Sequence, residues 1–321
     1  MNPTLESPAD AATACATPVV FIVFNRPDCA AAALAPIRAA RPRRLYVVAD
    51  GPRAARPEDV ALCRATREVV DRGIDWPCEV VRDYASANLG CARRVVSGLH
   101  DVFAREEQAI VLEDDCVADP TFFRYAGEML ARFRTEDRIW HIGGANFQPG
   151  AQPDRCYFSR YNHVWGWAAW RRSWANFDWE MKDWPAVRLT SWLRDELGDR
   201  WAAQYWRDAF DAVAAERVDS WAYRWTYAMW RRGGLAVLPG ANLVTNIGFA
   251  SGGTHVRAAD RRLSRAATAM QFPLQAPAGI ARDVAADAYT ERTVFSGGWR
   301  GALRGKASRM LRGLAGGNKN R

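Results

Sequence analysis

Between residues 18 and 112 the chain alternates four times between a short apolar run and a segment of helical character. Pro18-Val19-Val20-Phe21-Ile22-Val23-Phe24 is continuous in apolar residues and ends at Asn25-Arg26-Pro27. Leu45–Ala49 ends at Asp50-Gly51-Pro52-Arg53, Cys78–Arg82 precedes Asn88-Leu89-Gly90, and Ala109–Leu112 runs into Glu113-Asp114-Asp115. Unbroken apolar runs of this length suit strands covered on both faces, and intervening helices of 12–16 residues suit parallel crossovers. The expected fold is therefore α/β: an open, mostly parallel, Rossmann-like sheet flanked by helices. Helices are expected near 57–72, 91–104 and 122–133, and a further strand over 139–143.

In such sheets ligands bind beyond the carboxyl ends of the strands. Arg26, Asp50 and the acidic triplet all fall there. Three adjacent carboxylates repel one another and are costly to desolvate, so they call for a cation. Hard oxygen ligands suit Mg²⁺ or Mn²⁺, and those ions suit a diphosphate. Neither GxGxxG nor GxxxxGK[ST] occurs, so phosphate neutralisation falls to side chains and metal.

The net charge of +8 is local. Seven basic and no acidic residues lie from Arg300 onward, which leaves 44−7=37 basic against 36 acidic side chains in residues 1–299. A near-neutral body gives no footprint for nucleic acid. Seven scattered cysteines form no CxxC pair and read as reduced thiols. With no signal-peptide pattern and no apolar run of membrane-spanning length, the expected location is cytoplasmic. The first 17 residues are expected to be unstructured, and those beyond 266 to form a loosely ordered Arg-rich extension. Within it, 299–314 carries Trp299, Leu303, Met310, Leu311 and Leu314 among basic residues, an amphipathic pattern that suits peripheral contact with an anionic inner membrane face.

With these pieces in order, the chain resembles nucleotide-sugar glycosyltransferases of the GT-A fold, and among them the β-N-acetylglucosaminyltransferase I-like family. The likeness runs through Val19–Arg26, Val47–Gly51, Ala109–Tyr125, Trp165–Trp174, Asp219–Trp221 and Asn246–His255. Its most specific part is the acidic triplet followed by Pro120-Thr121-Phe122-Phe123. The resemblance implies a glycosyltransferase domain over 18–265 with a Trp-rich acceptor-side half. Arg26 and Asp50 would contact the nucleotide, Glu113 and Asp114 the donor sugar and ribose, and Asp115 the metal. The Trp165-Gly166-Trp167 turn would lie beside the donor sugar, and His255 would reach the metal or diphosphate. Asp219 would be the catalytic base, in a family Asp-Asp-Trp motif that here reads Asp219-Ser220-Trp221.

Those roles imply a Mn²⁺- or Mg²⁺-dependent, inverting transferase. It would move a sugar from a nucleoside diphosphate, UDP-GlcNAc being favoured, to a glycan or glycoconjugate acceptor, as in surface polysaccharide biosynthesis. The chemistry needs little more: a cation for the leaving diphosphate and one carboxylate to deprotonate the acceptor, worth about 10²–10⁴ in rate. Two other readings compete. A nucleotidyltransferase of similar fold would carry a glycine-rich first loop, and Phe24-Asn25-Arg26-Pro27 has no glycine. A non-catalytic nucleotide- or carbohydrate-binding protein would need no base, and Asp219 would then serve only to cap the helix that follows it.

Overall fold

The computed structural model describes residues 15–248, 264–275 and 277–295. Its centre is an eight-stranded sheet. The first four strands are β1 (Val19–Val23), β2 (Arg44–Ala49), β3 (Glu79–Tyr84) and β4 (Gln108–Glu113), joined by helices α1 (Pro27–Ala40), α2 (Glu58–Gly73) and α3 (Cys91–Arg105). They lie in the order β3-β2-β1-β4, all parallel. Each of these elements falls where the apolar alternation predicts it, to within a few residues.

The covering of both faces is visible in β1. Val19, Phe21 and Val23 pack toward α1 residues Ala30, Ala33, Leu34 and Ile37. Val20 and Ile22 point the other way, toward Ala92, Val95 and Leu99 of α3. All five strand residues are buried, which is why the run shows no polar alternation.

Beyond β4 the sheet continues through strands the sequence marks less clearly. After β5 (Cys116–Ala118) and α4 (Thr121–Arg132) come β6 (Ile139–Gly143), β7 (Cys156–Ser159) and β8 (Trp167–Trp170). Five helices follow before the chain returns to the sheet: α5 (Arg171–Trp174), α6 (Trp184–Val187), α7 (Trp192–Leu197), α8 (Arg200–Ala214) and α9 (Trp221–Arg231). Then come β9 (Leu235–Pro239) and β10 (Val244–Asn246). The full order is β3-β2-β1-β4-β8-β6-β9-β7. β8 runs antiparallel to both of its neighbours, with Val111 opposite Trp167 and His141 opposite Ala169. A separate antiparallel pair joins β5 to β10, Asn246 opposite Cys116.

Much of the tryptophan surplus packs on one face. Trp174, Trp206, Trp221, Trp225 and Trp230 are at most 5% exposed and stack on one another and on Trp167. Residues 264–275 and 277–295, expected as loosely ordered chain, instead lie against the body. Met270 is buried, Phe272, Leu274 and Ile280 pack on the core, and Asp283 N bonds to Phe158 O on the edge strand β7. Their apolar residues are spaced among Arg and Ala too thinly to give a periodic signal, but together they cover a sheet edge. α10 (Val284–Thr290) and a single π-helical turn (Glu291–Phe295) complete this segment. No helix among the described residues is long and apolar enough to cross a membrane. The basic stretch 299–314 and His255 lie outside the described residues.

Candidate functional site

The acidic triplet forms the turn between β4 and β5. Glu113 is the last residue of β4, and Asp114-Asp115 reverse the chain into Cys116. β1 ends beside it, and Phe24 N donates to Asp114 Oδ2 at 3.3 Å. Arg26, immediately before α1, ion-pairs with Asp114 and reaches Asp115 Oδ2 at 3.1 Å. From the other side β10 delivers Asn246, whose Nδ2 lies 3.3 Å from Asp115 Oδ1, and Gly248. Gly248 passes so close that a Cβ there would stand 2.3 Å from Asp115 Oδ2 and 3.2 Å from Arg26 Nη1. Glycine is required by proximity at this point.

The three carboxylates are not electrostatically equal. Although Glu113 keeps a solvent-facing edge, desolvation and then repulsion from Asp115 and Asp114 push its pKa up to about 8. Arg26 and the donated Trp221 indole N–H only partly offset this rise. Burial also raises Asp114, to about 6, against the pull of Arg26, and it stays ionised. Burial works against the charge on Arg26, but Asp114 and Asp115 outweigh it and raise the guanidinium above its ordinary value. At the turn Asp114 and Asp115 share one fixed cation, Arg26.

Asp50 is 5% exposed and its carboxylate is saturated. It accepts from Gly51 N at 2.8 Å, Leu89 N at 2.9 Å, Gly90 N at 3.2 Å and Asn88 Nδ2 at 2.8 Å. Its visible work is to hold the loop 88–90 at the start of α3. Asp219 is brought to that same place. It accepts from Ala92 N at 3.1 Å and faces Gly90. It therefore caps α3, a distant helix, and makes no side-chain cap on α9, which it precedes. Cys91 joins the two groups: its thiol pKa is raised by desolvation first, then by Glu113, Asp219, Asp115 and Asp114. Asp219 thus lies at the start of α3, beside the loop 88–90 that Asp50 holds.

The Trp165-Gly166-Trp167 turn divides. Trp165 is partly exposed and lines a cavity beside the site. Gly166, at φ +61°, would place a Cβ 2.6 Å from Val244 Cγ2 and 3.2 Å from Leu112 Cδ2, one residue before the triplet. Trp167 departs from the expectation of a place beside the sugar. It is the first residue of β8, has no exposed surface, and stacks between His141 and Trp221 at centroid distances of 5.1 and 5.4 Å. The reason is the antiparallel insertion of β8 at the centre of the sheet, which turns this ring inward.

Several residues here are given no individual role by the sequence. Asp59 on α2, fully buried, accepts from Asn25 Nδ2 at 2.7 Å and from Arg53, tying together the loops after β1 and β2. Asn246 and Gly248 reach the triplet only through the β5–β10 pairing. Cys91 gives no more sign in the sequence than the other scattered thiols, and none of the seven cysteines is in a disulfide among the described residues.

Mg²⁺ and Mn²⁺ take oxygen ligands and commonly use one or two carboxylates with substrate phosphates and water completing the shell. Asp115 and Asp114 are carboxylates of that kind, and in this structure both pair with Arg26. Among the described residues there is no group of three or more His, Cys, Asp or Glu side chains that would hold a cation without phosphates and water.

No protein-family model matches the chain, and no curated protein does. Among solved structures the chain is similar to CMP:2-keto-3-deoxy-manno-octonic acid synthetase complexed with CTP. The identity is 12% and the TM-score 0.29, over 50% of this chain and 77% of that one. A likeness so remote carries no argument about function, so the reading rests on the site itself.

Proposed function

We propose that this chain is a metal-assisted glycosyltransferase of GT-A type that takes its sugar from a nucleoside diphosphate. The observation that carries the reading is the Glu113-Asp114-Asp115 turn at the carboxyl end of β4, backed by Arg26 from the end of β1; a separate carboxylate, Asp219, stands at the start of α3. Asp115 and Asp114 are the residues that would hold Mn²⁺ or Mg²⁺, with His255 as a further ligand candidate. The cation would offset the charge gathering on the departing diphosphate. Arg26 supplies a second, fixed positive charge at the same point. Glu113, at the end of β4, would contact a hydroxyl of the donor sugar. Asp50 and Asp59 position the loops around the nucleotide. Asp219 takes the proton from the acceptor hydroxyl as the sugar carbon is attacked, which gives inversion. UDP-GlcNAc is the first donor to try, and a glycan or glycoconjugate at the inner membrane face, approached through the basic stretch 299–314, is the acceptor class.

A panel of UDP-, GDP- and dTDP-sugars, scanned by thermal shift with and without Mn²⁺, tests the donor, because a bound ligand raises the melting temperature by mass action. Slow, Mn²⁺-dependent release of UDP from the stabilising donor is the expected activity, and Asp115→Ala should remove both the shift and the release. Release of pyrophosphate from CTP or UTP with a sugar phosphate, in place of UDP release, would make the chain a nucleotidyltransferase. Binding with no turnover of any donor would make it a binding protein.

A further inference from the structure

Trp221 opens α9 and donates its indole N–H to Glu113, the last residue of β4. It is 3% exposed, so its ring is closed to a sugar. The ring is held by other aromatics. It stacks on Trp167 at 5.4 Å and 28°, and meets Trp174 edge-on at 6.4 Å. Trp167 itself lies opposite Val111 of β4, two residues before Glu113. The donor to the Glu113 carboxyl therefore rests on the strand next to the one that carries that carboxyl.

Packing alone does not account for the bond. The two rings that Trp221 packs on, Trp167 and Trp174, have buried indole nitrogens with no partner among the described residues. The aromatic layer thus tolerates unpaired N–H groups, and a phenyl ring could stack in the same place. What the indole adds at position 221 is a fixed donor aimed at the acidic turn.

The same residue sets the place of Asp219. The two stand two residues apart, a span of at most about 7 Å. Ser220 between them is held by its carbonyl, which accepts from Arg224 Nη1 at 2.9 Å, and Asp219 is pinned by Ala92 N at 3.1 Å. Glu113 on the donor side and Asp219 on the acceptor side are both referenced to one rigid residue. Its indole bonds the first, and its backbone leads to the second.

We propose that Trp221 is a positioning residue of the transferase site, whose indole N–H fixes the Glu113 carboxyl for the donor sugar and whose place at the head of α9 fixes Asp219 relative to it. This role rests on the transferase reading above, whereas the bond between Trp221 and Glu113 does not.

Bond and role are tested separately on the full chain. Trp221→Phe keeps a ring on Trp167 and removes the donor, and Trp225→Phe, fully buried on the same helix, is the packing control. Circular dichroism melts show which variants fold, and Met takes the place of Phe or Ala in any that does not. In ¹H–¹⁵N spectra the indole signal missing from Trp221→Phe should shift in Glu113→Ala. With the nucleotide sugar and Mn²⁺ that the wild type turns over, Trp221→Phe should raise the donor KM about tenfold and also lower kcat. In the Glu113→Ala background the effect on KM should vanish and the effect on kcat persist, because only the first acts through Glu113. Trp225→Phe should leave both constants within about twofold. An unmoved indole signal, an equal KM effect with and without Glu113, or the same changes in Trp225→Phe overturns the proposal. Turnover with an unmoved signal sinks the positioning role and leaves the transferase standing. A shifted signal in a protein that turns over no nucleotide sugar leaves the bond standing and sinks the transferase reading, with the role built on it.

Discussion

Asp219 accepts a hydrogen bond from the backbone N–H of Ala92, 127 residues earlier in the chain, and so caps a helix to which it does not belong. That bond draws the segment before α9 onto the start of α3. A cap and a base are separable demands on the same side chain. Asp219→Asn keeps an acceptor oxygen for Ala92 but has no basicity, so the melting temperature should hold while turnover falls by about 10²–10⁴. Asp219→Ala should add a stability loss of about 1 kcal/mol, in line with other lost caps. Denaturant unfolding beside UDP release reads both. Full turnover in Asp219→Asn would sink the base assignment.

Arg26→Ala leaves Asp114 and Asp115 facing each other without a cation. Removing one partner of a buried ion pair typically costs about 3–5 kcal/mol, and the partial exposure of Arg26 places this case at or below the lower end. The loss should be partly recovered by millimolar Mn²⁺, which supplies the missing positive charge, and not by K⁺. Thermal melts of the variant in the two salts check this. Equal melting temperatures in both would argue against a divalent site at the turn.

Two buried histidines predict how the fold responds to acid. Burial lowers the pKa of His141 and of His163 to about 3, against 6.5 for an exposed ring. Trp225 Nε1 lies 3.4 Å from His141 Nδ1, and His141 Nε2 lies 3.2 Å from His163 O, a pairing that fits the neutral ring with its proton on Nε2. A depressed pKa contributes stability that is complete above 6.5 and is lost as pH falls from there toward 3. Urea midpoints should therefore decline from pH 6.5 to pH 4, and His141→Gln should decline less steeply over that range. A parallel decline in the variant would show that His141 titrates normally in the fold.

Gly248→Ala should push a methyl group into Asp115 and Arg26, since the space ends 2.3 Å from the carboxylate oxygen. The backbone of β10 is held by Gly248 N to Asn246 Oδ1 at 2.9 Å and Ile247 N to Asp115 O at 2.8 Å, so the carboxylate is what must move. Mn²⁺-dependent nucleotide affinity should fall about tenfold, or about 1.4 kcal/mol, with only a small change in melting temperature. Calorimetric titration with UDP and Mn²⁺ gives the number, and unchanged affinity would move the cation away from Asp115.

The parallel half of the sheet and the place of the acidic turn were legible because they rest on local chemistry. Val19–Val23 and Ile110–Leu112 are apolar enough to be buried on both faces, and a buried strand that ends in carboxylates must deliver them to a strand-end surface. Arg26, Asp50 and the triplet followed from that rule alone. The other half was not legible in the same way. Trp167-Ala168-Ala169-Trp170 has no β-branched residue and follows a Trp-Gly turn, yet it is the strand on which the sheet changes direction.

What the sequence determined by itself is which residues can afford to be inside and which charges stand at the strand ends. What only the tertiary structure decided is who meets whom. The bond from Ala92 to Asp219 and the pairing that sets Asn246 and Gly248 against Asp115 are contacts between distant segments. Their energies come from burial and from polar groups that must find partners once water is excluded. No local pattern encodes them, because the same residues in the extended chain are satisfied by water.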